Sequence, residues 1–244
     1  MVKIVMLFSI LFNLLILGAG SILVYSKGGI DYLIRQLSFL QTPEMRATFM
    51  YDTPYYRIRK NHFKILPQSE ADIVFLGDSI TDACEWQELF KNVRIKNRGI
   101  SGDTTKGILN RIHEVVESQP QKIFIMIGIN DLTKGSSIDE TFNNYQDLLN
   151  ILQKESPKTK VFVQSVLPVN NQKYPNIGVN NNIINLNNRL RDLAQKLSFN
   201  YIDLFSDFLD SNNQLDAQYT TDGIHLNGQG YLLWKGLIEQ EVMN

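Results

Sequence analysis

Three short stretches of this chain carry side chains that can do chemistry together: Gly77-Asp78-Ser79, Gly128-Ile129-Asn130-Asp131 and Asp222-Gly223-Ile224-His225. A serine, a histidine with a carboxylate three residues before it, and an asparagine are the groups that acyl transfer through a covalent enzyme requires. The serine attacks, the histidine takes its proton, the aspartate orients the imidazole, and an amide N–H can stabilise the oxyanion. Of the three histidines, His62 lies beside Lys60 and Phe63, and His113 follows Ile112 in a helical pattern, so both are expected at the surface or in packing. His225 is the one placed for a base. Gly102, in Gly99-Ile100-Ser101-Gly102-Asp103-Thr104, offers a backbone N–H without a Cβ to obstruct a substrate. Asp78, Asp103 and Asp131 suit caps and turns better than acid catalysis.

The elements that must position these groups are legible as apolar runs. Ile73–Leu76, Val93–Ile95, Ile123–Ile127, Val161–Val166 and Tyr201–Leu204 have the strand character of a parallel sheet buried on both faces. Helical spacing links Ile108, Ile112 and Val115, then Phe142, Tyr145, Leu149 and Leu152, then Ile183, Leu186, Leu190, Leu193 and Leu197. Alternation of this kind predicts a doubly wound α/β sheet, in which ligands bind beyond the carboxyl ends of the strands. Ser79, the Gly102 loop and Asn130 each follow one of the first three predicted strands, with the helix after Ser79 expected to begin near Thr81. The Asn-rich stretch around 170–188 is read as compositional bias.

Composition narrows the function classes. A net charge of -1 gives no electrostatic reason to expect nucleic acid. The single cysteine, Cys84, excludes an intrachain disulfide and a cysteine zinc cage. Neither a His-x-x-x-His pair nor a phosphate-binding glycine motif occurs, so no metal or other cofactor is expected. From Ile4 to Ser26 there is no charged residue, which is enough apolar chain to cross the hydrocarbon layer as a helix of roughly 20 residues. We read residues 1–26 as a signal-anchor, with a signal peptide cleaved near Gly18-Ala19-Gly20 as the alternative. The membrane would then be a partner and the catalytic part extracytoplasmic. Residues 27–67 are read as a connector, with a short amphipathic helix on Tyr32, Leu33, Leu37 and Leu40, and with Met50-Tyr51, Tyr55-Tyr56 and Phe63 packing on the domain at 68–244 or, as the alternative, resting at a membrane interface.

Four blocks, taken in order, resemble the SGNH or GDSL hydrolases, and within them the branch similar to platelet-activating-factor acetylhydrolase subunits and carbohydrate O-acetylesterases. They are Phe75-Leu76-Gly77-Asp78-Ser79-Ile80-Thr81, Asn97-Arg98-Gly99-Ile100-Ser101-Gly102-Asp103-Thr104, Gly128-Ile129-Asn130-Asp131 and Asp222-Gly223-Ile224-His225-Leu226-Asn227. The resemblance spans about Ala71 to the C-terminus. It implies a three-layer α/β/α flavodoxin-like parallel sheet, which the N-terminal hydrophobic helix read from the apolar run would precede. It also implies a Ser79, Asp222, His225 triad and an oxyanion hole from Ser79 N–H, Gly102 N–H and the Asn130 side chain. The expected activity is serine ester hydrolysis of a small-molecule or glycan ester, with a short acyl group such as acetyl favoured. Lysophospholipase or thioesterase action on longer chains, acyl transfer on the same scaffold, and non-catalytic glycan binding are the alternatives. The loop Pro168 to Val179 is expected to border the pocket, with Asn170 and Tyr174 as sugar-binding candidates.

Overall fold

The computed structural model describes residues 50–175 and 178–244, with residues 17, 18, 20–22, 24–26, 29 and 48 before them. Leu17, Gly18, Gly20–Ile22 and Val24–Ser26 are helical, while the rest of the predicted anchor and the helix expected on Tyr32–Leu40 lie outside the described residues. Among the described residues, no helix is long and apolar enough to cross a membrane.

One compact unit runs from Met50 to Asn244. Its first element is a helix, α1 (Pro54–Ile65), within what the sequence suggested was a connector. Thr53 caps it by accepting from Tyr56 N, and Pro54 suits the first turn, where its missing N–H costs nothing. Tyr56 and Phe63, two turns apart on one face, are buried. With Tyr51 and Ile100 they form a small apolar cluster separate from the main core.

The remaining elements alternate as predicted. They are β1 (Ile73–Gly77), α2 (Ser79–Asp82), α3 (Trp86–Phe90), β2 (Ile95–Gly99), α4 (Thr105–Leu109), α5 (Ile112–Val116) and β3 (Lys122–Met126). Then come α6 (Ile129–Thr133), α7 (Ile138–Glu155), β4 (Lys160–Gln164), α8 (Val179–Lys196), β5 (Asn200–Ile202), a 3-10 turn at Ser206–Phe208 and α9 (Gly228–Met243). The five strands are parallel in the order β2-β1-β3-β4-β5. This is the flavodoxin-like order, whose switch point lies between β1 and β3.

Every residue of β1 and β3 is buried, as a sheet covered on both faces requires. In-register Phe75, Phe124 and Phe162 stack across three strands at 5.0 and 4.4 Å, and Trp86 of α3 lies 4.1 Å from Phe75. Trp234 of α9 closes the same face with its ring edge on Trp86 at 4.8 Å. The asparagines of α8 have a structural purpose. Asn187 accepts from Val166 N and donates to Val166 O, and Asn180, seven residues earlier, does the same for Val169. Among the described residues no strand neighbours the chain beyond β4 there, and these amides supply the bonds a ladder would have made.

Candidate active site

The loops leaving β1, β2 and β3 carry Ser79, Gly102 and Asn130, and β1 lies between the other two strands. Asp78 caps α2 by accepting from Ile80 N at 3.0 Å, which makes Ser79 itself the first helical residue, two positions before the expected start. A first-turn N–H has no intrahelical acceptor, so the Ser79 amide is available to a ligand's oxygen.

The C-terminal loop reaches Ser79 across the chain. His225 Nε2 stands 2.9 Å from Ser79 Oγ, and His225 Nδ1 stands 2.6 Å from Asp222 Oδ2. Asp222 Oδ1 accepts from Ile224 N at 3.0 Å and His225 N at 2.8 Å, so the carboxylate grips the residue it orients at two places. Partial burial raises the Asp222 carboxyl, but the bonds from the His225 ring and the two amides outweigh it and hold the group at about 2. Asp222 therefore stays ionised beside the ring throughout the neutral range.

Gly223 explains how so short a loop is held. Its φ is 91°, and a Cβ there would come within 2.8 Å of Asn170 O and Tyr174 N. Thr220 Oγ1 accepts from Gly223 N and donates to His225 O, while Asn170 N donates to Gly223 O at 2.8 Å. This gives Asn170 a different place from the one expected. It is 4 % exposed; its Nδ2 donates to Leu215 O, and its Oδ1 accepts from Gln172 N and Lys173 N. Its amide is engaged inside the fold, so Asn170 supports the His225 loop and is not displayed to a sugar. Tyr174 is half-buried against the core, and its N–H closes the same turn on Asn170 O.

The second loop is built around Gly102, at φ 79°. Asn130, in the first turn of α6, donates from Nδ2 to Asp103 O at 2.9 Å, which ties the third block to the second. Beneath them lies a pair that sequence reasoning missed. Arg111 Nε and Nη2 reach Asp103 Oδ2 at 2.9 and 2.8 Å, and Nη2 also donates to Gly77 O. The two side chains are 1 % and 0 % exposed. The available signal was an arginine directly beside Ile112, a residue of the predicted apolar helix face.

Asp78, Asp103 and Asp131 are all buried in this region. Burial pushes Asp103 up against the pull of Arg111. It also pushes Asp78 up to about 7, with the charges of Asp103 and Asp131 adding to it, and Asp131 up to about 7 despite the bonds from Thr105 N and Oγ1. His62 is exposed, and exposed His113 pairs with Glu155 at 2.9 Å, away from this cluster of bonds.

An imidazole bridged between a serine hydroxyl and a carboxylate is the arrangement that turns a hydroxyl into a nucleophile. Comparison with known proteins agrees. The sequence profile of the GDSL-like Lipase/Acylhydrolase family matches residues 75–233. The chain belongs to that family and is a serine ester hydrolase. Rat platelet-activating factor acetylhydrolase IB subunit alpha2 is 26% identical over 169 residues, which is 66% of this chain and 72% of that protein. The crystal structure of a GDSL-like lipase from Bacteroides thetaiotaomicron is similar at TM-score 0.68 and 28% identity, over 77% of this chain and 96% of that one. An acetyl xylan esterase, 24% identical with TM-score 0.61 over 70% of this chain and 100% of its own, shares the fold.

Proposed function

We propose that this protein removes a short acyl group, such as acetyl, from a carbohydrate ester through an acyl-Ser79 intermediate. The observation that carries the reading is the unbroken relay Ser79 Oγ, His225 and Asp222 at 2.9 and 2.6 Å. His225 Nε2 takes the Ser79 proton as Oγ attacks the ester carbonyl. The developing oxyanion is received by the N–H groups of Ser79 and Gly102 and by Asn130 Nδ2. Protonated His225, stabilised by Asp222, then gives its proton to the departing alcohol. Water, activated by the same imidazole, releases the acid and restores Ser79.

The short acyl group is supported by the names of two similar proteins, an acetylhydrolase and an acetyl xylan esterase. The uncharged run Ile4–Ser26 supports an extracytoplasmic enzyme held at the membrane, facing glycans outside the cell. The test is turnover of p-nitrophenyl esters from acetate to decanoate, then of acetylated xylo-oligosaccharides. The expected result is Ser79-dependent activity that falls steeply beyond short chains and extends to the acetylated sugar. A preference for decanoate, or no release from the sugar, would replace carbohydrate deacetylation with action on longer acyl chains.

A further inference from the structure

Helix α1 and the residues just before it lie outside the family match, which starts at 75, yet two of their polar partners, Asp82 and Lys134, also bind the second block. Two tethers stand out. Asp82, the last residue of the helix that Ser79 begins, accepts from Tyr55 Oη at 2.7 Å and Arg59 Nη2 at 3.2 Å through its two oxygens, and from Ser101 N at 3.1 Å. Lys134, just past α6, donates from Nζ to Met50 O at 2.7 Å and to Gly102 O at 2.8 Å. The Ser101–Gly102 peptide, whose N–H is that of Gly102, sits between these two points. One end is fixed at Ser101 N and the other at Gly102 O, and both tethers end on residues 50–59.

Apolar packing and the buried pair point the same way. Ile100 is fully buried with Tyr51, Tyr56 and Phe63, and Tyr56 Oη donates to Gly107 O at 2.7 Å, beyond the far side of the loop. The Phe63 ring lies under the guanidinium groups of Arg59, Arg98 and Arg111 at 4.8, 4.9 and 5.9 Å. Of these, Arg111 holds Asp103 and Gly77 O. A glycine at φ 79° has little of its own to fix its peptide plane, so its orientation must come from neighbours.

We propose that Met50–Ile65 is a brace that orients the Gly102 N–H, acting through Asp82 and Lys134 as positioning residues. The inference rests on the reading in which that N–H receives the oxyanion. A donor held at the right angle before the reaction contributes most in the transition state, so loosening it lowers kcat more than it raises KM.

The test uses the full chain carrying Tyr55→Phe, Lys134→Met, or both, with Lys64→Ala on the same helix as the control, since Lys64 faces Glu114. Two readouts are taken: hydrogen exchange of the amides at 100–104 and at 222–226, and kcat and KM on p-nitrophenyl acetate. The double variant should exchange faster at 100–104 but not at 222–226. Its kcat should fall about tenfold with KM held within about twofold, each single variant should move part of the way, and Lys64→Ala should match the wild type. Unchanged exchange at 100–104 overturns the brace. So does faster exchange with wild-type kcat, or a change confined to KM. A wild-type protein that hydrolyses no ester would sink the esterase reading alone, because exchange at 100–104 still decides whether the brace exists.

Discussion

Replacing Asp222 with asparagine tests the relay most finely, because the structure dictates which way the new amide must point. Oδ1 of Asp222 accepts two backbone N–H groups, from Ile224 and His225, and Oδ2 accepts the ring. An asparagine that keeps its oxygen on the two amides turns its NH2 toward Nδ1. The imidazole must then carry its proton on Nε2, facing Ser79 Oγ, where it can only donate. The opposite orientation restores the competent tautomer but loses two amide bonds, at about 1 kcal/mol each. The competent form is thus disfavoured by about 2 kcal/mol. Loss of the carboxylate also removes stabilisation of the imidazolium. With His225 and Asp222 side chains 45% and 52% exposed, solvent screening limits that term to about 1 kcal/mol. Together they amount to about 3 kcal/mol, or a fall in kcat/KM of about a hundredfold to a thousandfold. KM should hold, and Asp222→Ala, with water at Nδ1, should be no worse than Asp222→Asn. The assay is steady-state hydrolysis of p-nitrophenyl acetate. An asparagine variant keeping more than about a third of wild-type kcat/KM would refute the tautomer argument.

Three further outcomes follow from the same geometry. Asn130→Ala should lower kcat about 10²–10³-fold with little change in KM, measured on the same ester, since it removes the proposed oxyanion donor and the tie to Asp103 O. Gly223→Ala should destabilise the fold by about 1–3 kcal/mol in urea unfolding, because its φ of 91° and the contacts at 2.8 Å both oppose a Cβ. Its kcat should fall too, as His225 shifts with the loop; unchanged stability would contradict the close packing on Asn170. Asp78 carries the pH test. Its folded value is raised to about 7 from 3.8, so the stability it contributes is complete below 3.8 and is lost as pH rises toward 7. Asp78→Asn keeps an acceptor for Ile80 N, so its melting temperature relative to wild type should climb between about pH 4 and pH 7. A difference independent of pH would show that Asp78 is not buried as an ionisable group. Asp222 has the opposite sign, and its contribution is lost only as pH falls from 3.8 toward about 2.

The parts of this fold that could be read from sequence are those where burial is uniform. β1 and β3 announce themselves as apolar runs because both faces are covered. β2 does not. It runs Ile95–Gly99, displaced from the expected Val93–Ile95, and holds Lys96, Asn97 and Arg98 because it lies at the sheet edge. Asn97 is a structural residue there, its Nδ2 donating to Thr81 O, Asp82 O and Cys84 O. The single helical pattern expected through Ile108, Ile112 and Val115 is two short helices, α4 and α5, with Arg111 between them turned inward to Asp103. A helical period cannot announce such a break, since the cause lies in a carboxylate eight residues away and in Gly77 O on another strand. Helix α1 was missed for a related reason. Its buried face holds only Tyr56 and Phe63, and its polar residues find their partners at Asp82 and Asn110, far along the chain. Ser79, His225 and Asp222 could be singled out because each belongs to a short stretch with its own local geometry, and the structure brings them together at 2.9 and 2.6 Å. Asn170 was misread because an amide in a loop looks the same in sequence whether it faces solvent or closes a turn.

Trapping the acyl-enzyme shows directly whether Ser79 is the nucleophile. Full-length protein is mixed with excess p-nitrophenyl acetate, quenched in acid within the first turnover, and weighed intact and after digestion. One acetyl group per chain is expected on the peptide carrying Ser79, and none in a folded Ser79→Ala protein that has also lost turnover. Ester hydrolysis that persists in Ser79→Ala, or an acetyl group found on another residue, would contradict it.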